Sequence, residues 1–229
     1  QEVSEVGSYF SIIKAIAAGN HKLSTIAAVL EVKSTNLTKY LKTLMDLDIL
    51  ERRVPVTEGN PEKSKRGLYK IKDNYLRFWF AFIYPNMSFI ESGHSGIVMD
   101  KIRRGLTTSH IGFVYEDICQ ERMWELNVNN AWPFQFSKLG GYWDAKNEID
   151  IAALDPEGKN LILGECKYWK EPVGLNVLHA LEAKACDVAW ERDRRKVWYV
   201  LFSISGFSDE LRNHAATRDD LLLIDDGER

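Results

Sequence analysis

The stretch EIDIAALDPEGKNLILGECK, residues 148–167, sets four charged side chains in two clusters on either side of a turn-forming DPEGKN. Glu148 and Asp150 precede the turn; Glu165 and Lys167 follow it. A turn centred between Glu157 and Gly158 gives an antiparallel hairpin in which Asp150 faces Glu165 and Glu148 faces Lys167. Side chains alternate along a strand, so all four charges share one side, and Ile149, Ile151, Gly164 and Cys166 take the other. Carboxylates directly opposite each other, with Cβ atoms about 4.5 to 5.5 Å apart, repel unless positive charge lies between them. A divalent cation meets that need, since Mg²⁺ or Mn²⁺ binds through one or two carboxylates together with waters and phosphate oxygens. Lys167 can then orient or deprotonate a water bound to that cation and stabilise charge developing on phosphorus. The same arithmetic also allows a plain cross-strand pair of Glu148 with Lys167 and two solvated acids.

The elements that must position these residues read as one mixed sheet. HIGFVYEDICQERMWEL, which carries Glu116, has helical periodicity; PFQFSK reads as a strand ahead of the hairpin. A helix at GLNVLHALEAKACDVAW, a strand at KVWYVLFSI, a helix at SDELRNHAA and a strand at DLLLID follow. The order is αβββαβ with an αβ extension, an α/β arrangement with helices packed on the sheet. Lone histidines His110 and His179 lack a second ligand at helical spacing and read as structural or solvated. Trp124, Trp132, Trp143, Trp169, Trp190 and Trp198 read as core or domain contacts. Lys184, on the helix after the hairpin, reads as a surface lysine with a phosphate contact as the alternative.

The preceding part of the chain has a different character. YFSIIKAIAAG makes a helix stopped by Gly19 and Asn20, LSTIAAVLEV a short one with Ser24 as its expected cap, and STNLTKYLKTLMDLDIL a third. In the third, Leu37, Tyr40 or Leu41, Leu44 and Leu47 form the apolar face, leaving Thr35, Asn36, Lys39, Lys42 and Thr43 near the polar one. ILERRVPV and GLYKI then pair across a tip holding Lys63, Lys65 and Arg66. Three helices and a hairpin make a winged helix-turn-helix, an α+β domain. Such a domain can set its third helix in the major groove and its basic wing on the phosphates, or serve protein contacts alone. In DNYLRFWFAFIYP, Asp73 is the expected cap, Pro85 the stop, and Tyr75, Phe78, Trp79 and Phe82 one buried face. The expected layout is a winged-helix domain over residues 1–85, a connector helix with loose ends over 86–109 and a sheet domain over 110–229.

Composition supports two tasks. Residues 1–95 hold 13 Lys and Arg against 10 Asp and Glu, while residues 96–229 hold 17 against 23, so the net charge of −3 divides into a basic part and an acidic one. No run is long enough and apolar enough to span a membrane, and the first residues do not form a secretory signal. Three scattered cysteines fit a reducing interior, so a cytoplasmic location is expected. A start at Gln1 points to a processed product or a piece of a longer chain.

Asp150 and, fifteen positions on, Glu165-Cys166-Lys167, behind a helix bearing Glu116, resemble the D…E-x-K signature of the PD-(D/E)xK nuclease superfamily, without the proline of its name. Over nearly the whole chain, SYFSIIKAIAAG, LMDLDILERRVPV, DNYLRFWFAFIYPN and EIDIAAL…GECKYW resemble the C-terminal region of archaeal-type P-loop ATPases of the DEXX-box kind. The resemblance implies a restriction-endonuclease-like sheet domain after a winged helix. It makes Asp150 and Glu165 ligands of Mg²⁺ or Mn²⁺, Lys167 the catalytic lysine, and Glu116 a helper in placing metal or water, with Asp117 or Glu121 as alternatives. It further implies an ATPase domain outside this chain, which has no G-x-x-x-x-G-K-[ST] and hence no ATP site of its own. DNA is the expected partner, and a homodimer is compatible with the sequence. The competing expectation is a non-catalytic module, in which the sheet serves the ATPase as an interaction surface.

Overall fold

A computed structural model describes residues 2–227, with the side chains of residues 2–6, 108 and 109 outside that description. The chain divides into two units: Gln1–Val54 with Asn60–His110, and Pro55–Gly59 with Ile111–Arg229. Among the described residues, no helix is long and apolar enough to cross a membrane.

The first unit opens with α1 (Glu2–Ala17), α2 (Leu23–Val29) and α3 (Ser34–Asp46), followed by the antiparallel pair β1 (Leu50–Arg53) and β2 (Leu68–Ile71). Ile12, Ile16, Ile26, Leu37, Leu41, Leu44, Leu50 and Ile71 form its core, so the helical spacing of the apolar residues converts directly into burial. Gly19 takes φ 93°, the left-handed conformation that ends a helix at no steric cost. Two expectations need correction. The N-cap of α2 is Lys22, with no side-chain cap, and Ser24 falls inside the first turn. Leu47, just past the end of α3, is 62% exposed.

The aromatic segment also differs from its expected form. Asp73 does cap α4 (Asn74–Phe78), its Oδ1 accepting the Leu76 N–H at 2.7 Å. The chain then widens into a π-helical turn over Trp79–Ile83, which inserts one residue and slips the 3.6-residue period. Tyr75 is exposed, and the buried rings of this segment are Phe80 and Phe82. Phe10 of α1 meets Phe80 and Tyr84 at centroid distances of 5.2 and 4.9 Å, which fastens this segment to the core. Pro85 does not stop the helix. It lies in a 3₁₀ turn, Tyr84–Asn86, that leads to α5 (Met87–Glu91) and α6 (Ser95–Leu106). The expected connector is therefore mostly helical, and a second π-helical turn, Thr107–Ile111, precedes α7 (Gly112–Val128).

The second unit continues with β3 (Lys138–Trp143), β4 (Glu148–Leu154), β5 (Asn160–Lys167), α8 (Leu175–Asp187), β6 (Lys196–Ser203), α9 (Asp209–Ala215) and β7 (Leu221–Asp225). The strands form one mixed sheet in the order β3-β4-β5-β6-β7, antiparallel up to β5 and parallel from β5 to β7. The middle strands are apolar on both faces because both are covered. Tyr115, Cys119 and Met123 of α7 pack on Ile151, Ala153, Ile162, Val200 and Phe202. Val177, Leu178 and Leu181 of α8, with Leu211 of α9, pack on Ile149, Ala152, Leu163 and Leu201.

PFQFSK is not a strand. The alternation that suggests one comes from Phe134 and Phe136 packing with the α7 layer. The backbone of Phe136 is satisfied by the buried Asn127 side chain, which accepts from its N–H and donates to its carbonyl, both at 3.0 Å. The outer strand is KLGGYW instead, and Val56 lies beside it, its N–H donating to the Gly141 carbonyl at 3.0 Å.

The central hairpin has Ile151 opposite Gly164 through Leu154 opposite Leu161, the register expected from a turn centred between Glu157 and Gly158. Asp155 builds that turn: Oδ1 accepts from the Lys159 N–H at 2.9 Å and Oδ2 from the Asn160 amide at 2.7 Å, with Gly158 at φ 72°. At Gly164 a Cβ would lie 2.6 Å from Val200 Cγ1 and 2.9 Å from the Val200 carbonyl. Gly164→Ala should therefore cost about 1–3 kcal/mol through overpacking, read as a lower urea midpoint with an unchanged slope. A midpoint equal to that of the parent chain would show that β6 yields at this point.

Candidate active site

The site forms where β4 and β5 part. Gly140 faces Ala152, yet Tyr142 faces Ile149, so Asp150 and Ile151 together oppose the single residue Gly141. This bulge in β4 reverses the alternation beyond it: Ile149 joins the α8 layer while Ile151 belongs to the α7 layer. The expectation that Ile149 and Ile151 share a face, and that Glu148 joins the acidic patch, is corrected by that one extra residue. Glu148 is exposed, and its contribution is a main-chain carbonyl.

Paired positions of β4 and β5 end at Ile151 and Gly164. One residue further, the Asp150 side chain takes over, its Oδ2 accepting the Cys166 N–H at 2.9 Å. Glu165, only 5% exposed, stands beside it. Lys167 Nζ donates to Glu165 Oε2 in a close ion pair and lies 3.6 Å from Asp150 Oδ2. Asp150, Glu165 and Lys167 thus meet at the strand ends.

Lys184 of α8 completes the cluster and is no ordinary surface lysine. Its Nζ donates to Glu165 Oε1 at 2.7 Å and to the Glu148 carbonyl at 2.8 Å. From α7, the Gln120 amide reaches the Asp150 carbonyl at 3.4 Å. Glu116, one turn earlier, is half-buried, and its charge helps to raise the Cys166 thiol, whose main cause is burial. Glu121 is exposed and lines a different pocket with Tyr115, Arg122 and Asp226. Sequence periodicity offers no signal for Gln120 or Lys184, because both depend on where a helix lands on the sheet.

The electrostatics define what the cluster lacks. Burial, then the charge of Glu165, pushes Asp150 from its ordinary 3.8 up to about 6, against the pull of Lys167, the Cys166 N–H and Lys184. Burial alone would lower Lys167, but Asp150 and Glu165 outweigh it and hold the ammonium above the ordinary lysine range. Two lysines balance the two acids in number, yet burial still makes the Asp150 carboxylate costly to ionise. All-oxygen donors in that state suit a hard divalent cation. Among the described residues no group of three or more His, Cys, Asp and Glu side chains is arranged to hold a metal; Asp150 and Glu165 offer two carboxylates for one. The described contacts of the Asp150 side chain use Oδ2, whereas both oxygens of Glu165 are taken, Oε2 by Lys167 and Oε1 by Lys184.

In the first unit, Thr35, Asn36, Lys39 and Lys42 are exposed on α3, and Lys63, Lys65 and Arg66 are exposed beyond β1. Arg52 orders that tip, donating to the Pro61 carbonyl at 2.8 Å and the Ser64 carbonyl at 2.6 Å. His110 is half-buried with its ring edge-on to Phe78, and His179 is exposed. Trp132 and Trp198 are buried as expected, but Trp124 and Trp169 are exposed, and Trp169 lies 5.6 Å from Lys167 Nζ.

Residues 79–185 match the DUF234 model, described as archaea bacterial proteins of unknown function. That stretch contains Asp150, Glu165, Lys167 and Lys184. The uncharacterized protein MJECL04 of Methanocaldococcus jannaschii is 41% identical over 170 residues, 74% of this chain and 37% of that protein. The chain thus matches little more than a third of the length of that relative. Among solved structures, a repair endonuclease from Pyrococcus abyssi aligns over 45% of this chain and 44% of its own, at 13% identity and a TM-score of 0.30. An EndoMS–dsDNA2 complex aligns over 47% and 44%, at 14% identity and a TM-score of 0.29. At those scores the functional reading rests on the side chains of the site.

Asp150 also makes a stability prediction. Its carboxyl is harder to ionise in the fold than in the unfolded chain, so its contribution is full below about pH 4 and is lost as pH rises through about 6. A rise from 3.8 to about 6 corresponds to on the order of 3 kcal/mol. Asp150→Asn keeps an acceptor for the Cys166 N–H, and without divalent cations it should be about 1–3 kcal/mol more stable than the parent at pH 8. That gain should vanish near pH 4 in chemical denaturation. Parallel pH profiles for the two proteins would refute the stated burial of charge.

Proposed function

We propose that the second unit is a divalent-cation-dependent nuclease of the PD-(D/E)xK kind and that the first is a winged helix that holds DNA. The observation that carries this reading is the meeting of Asp150, Glu165 and Lys167 at the parted ends of β4 and β5. Asp150 and Glu165 are the groups that would hold Mg²⁺ or Mn²⁺. Bound there, the cation would polarise a phosphodiester and supply hydroxide-like water near neutral pH.

The chain's own residues have separable roles. Lys167, whose ammonium Asp150 and Glu165 hold above the ordinary lysine range in the cation-free site, would stand as a positive charge beside the reacting phosphate. The Cys166 N–H aims Asp150, and Gln120 steadies the main chain behind it. Glu116 helps to place water from the α7 side. In the first unit, Thr35, Asn36, Lys39 and Lys42 would approach the bases and backbone of duplex DNA, and Lys63, Lys65 and Arg66 the phosphates. The resemblance to ATPase C-terminal regions supports an ATP-hydrolysing domain as the partner that controls cleavage.

One observation favours the second reading, a regulatory module that binds DNA without cutting it: both oxygens of Glu165 already have ammonium partners. Labelled single-stranded, duplex and branched DNA, incubated with Mg²⁺ or Mn²⁺, separates the two. Cleavage is expected, and it should fall by about 10²–10⁴-fold in Asp150→Ala and in Lys167→Ala. No cleavage of any substrate, or cleavage untouched by both substitutions, would end the nuclease reading.

DNA binding is tested separately in EDTA. Replacing Lys63, Lys65 and Arg66 together by Ala should weaken binding to any sequence and flatten the log Kd against log salt slope by about 2–3. An unchanged slope would remove this tip from the interface.

A further inference from the structure

We propose that Lys184 is a resident counter-ion of the site, holding Glu165 while no divalent cation is bound and withdrawing from it when one binds. This inference rests on the nuclease reading and adds a residue that competes with the metal. Chelation by both carboxylates requires an oxygen of Glu165, and both are engaged. Each oxygen keeps a further lone pair, but a divalent cation seated there lies within a few ångströms of an ammonium, and the repulsion falls on the less firmly held of the two.

The geometry selects Lys184. Lys167 sits between the acids, paired with Glu165 and 3.6 Å from Asp150, and is 19% exposed along its side chain. Lys184 touches only one of the acids, is 29% exposed, and enters from a different element, α8. It also has somewhere to stay, because its 2.8 Å bond to the Glu148 carbonyl does not involve either acid. That carbonyl can retain the ammonium at the rim of the site after Glu165 is released. A long, rotatable lysine stem permits such a shift where a planar arginine fork would not. Opening the site by removing the resident charge should strengthen cation binding, since a unit positive charge within a few ångströms opposes the entry of a second cation.

The test is Mn²⁺ binding by the full chain at pH 8 in the absence of DNA, with free Mn²⁺ counted by electron paramagnetic resonance. Lys184→Met should bind Mn²⁺ about 10-fold more tightly than the parent, and Lys184→Arg, which keeps the charge, should stay within about 2-fold of it or bind more weakly. Lys184→Met should also melt at a lower temperature without cation and gain more from added Mn²⁺. A residue that merely supports Glu165 would give the opposite sign, weaker binding in Lys184→Met. Equal or weaker binding in Lys184→Met, with Mn²⁺ bound by the parent, overturns the counter-ion role and leaves the nuclease reading standing. Binding by Lys184→Met alone supports the role. Binding by neither protein overturns both.

Discussion

Two carboxylates are buried side by side at the point where a strand pair comes apart, and most of the second unit can be understood as accommodating them. An isolated ionised acid at such depth is costly, and two repel. Here the parting of β4 and β5 turns the cost to use. The ladder stops at Ile151 and Gly164, which leaves the Cys166 N–H for the Asp150 carboxylate. Lys167 and Lys184 then share Glu165 from its two sides. Even so, Asp150 remains pushed up to about 6. The cluster is held together, yet burial keeps one of its acids costly to ionise, a cost that a proton or a cation would relieve.

Everything around the cluster is organised so that it does not collapse. Apolar layers cover both faces of the sheet, so β4 and β5 cannot slip without exposing Ile151, Ala152, Ile162 and Leu163. Asp155 fixes the turn that sets their register. On the other side of β5, the parallel pairing with β6 runs through Lys167 opposite Ser203, so β5 stays paired just where β4 leaves it. The bulge in β4 is the device that allows one strand to depart while the other remains. It also removes Glu148 from the patch and brings its carbonyl to Lys184.

What could be read in the sequence follows from that division. The hairpin register was legible because turn chemistry and an apolar two-faced core determine it locally. So were the helices with a clear 3.6-residue period and the cap at Asp73. Asp150, Glu165 and Lys167 could be brought together on paper because they lie on the two strands of one hairpin. The bulge was not legible, since nothing in EIDIAAL marks an extra residue; it is visible only against Gly141 on the neighbouring strand. Lys184 and Gln120 come from helices whose docking on the sheet is a tertiary matter. The π-helical turn at Trp79–Ile83 likewise has no mark in the composition, and within it Phe80 is buried together with Phe82. Phe134 and Phe136 imitate a strand because aromatic alternation serves loop burial equally well.

The charge balance bears on how a polyanion can reach an acidic unit at all. Residues 96–229 carry six more acids than bases, a field that repels phosphate in general. At the cluster itself the sum is different: two acids face two ammoniums, and Lys167 is held in its charged form. A divalent cation at Asp150 and Glu165 would make this locality positive within an otherwise acidic portion of the chain. On the proposed reading, the cost of approaching a nucleic acid would be offset where the metal and lysines are, while the basic 1–95 portion would supply attraction that depends on salt but not on metal. Affinity and chemistry would, on that reading, answer to different ions, which would give an acidic unit a use for a basic companion on the same chain.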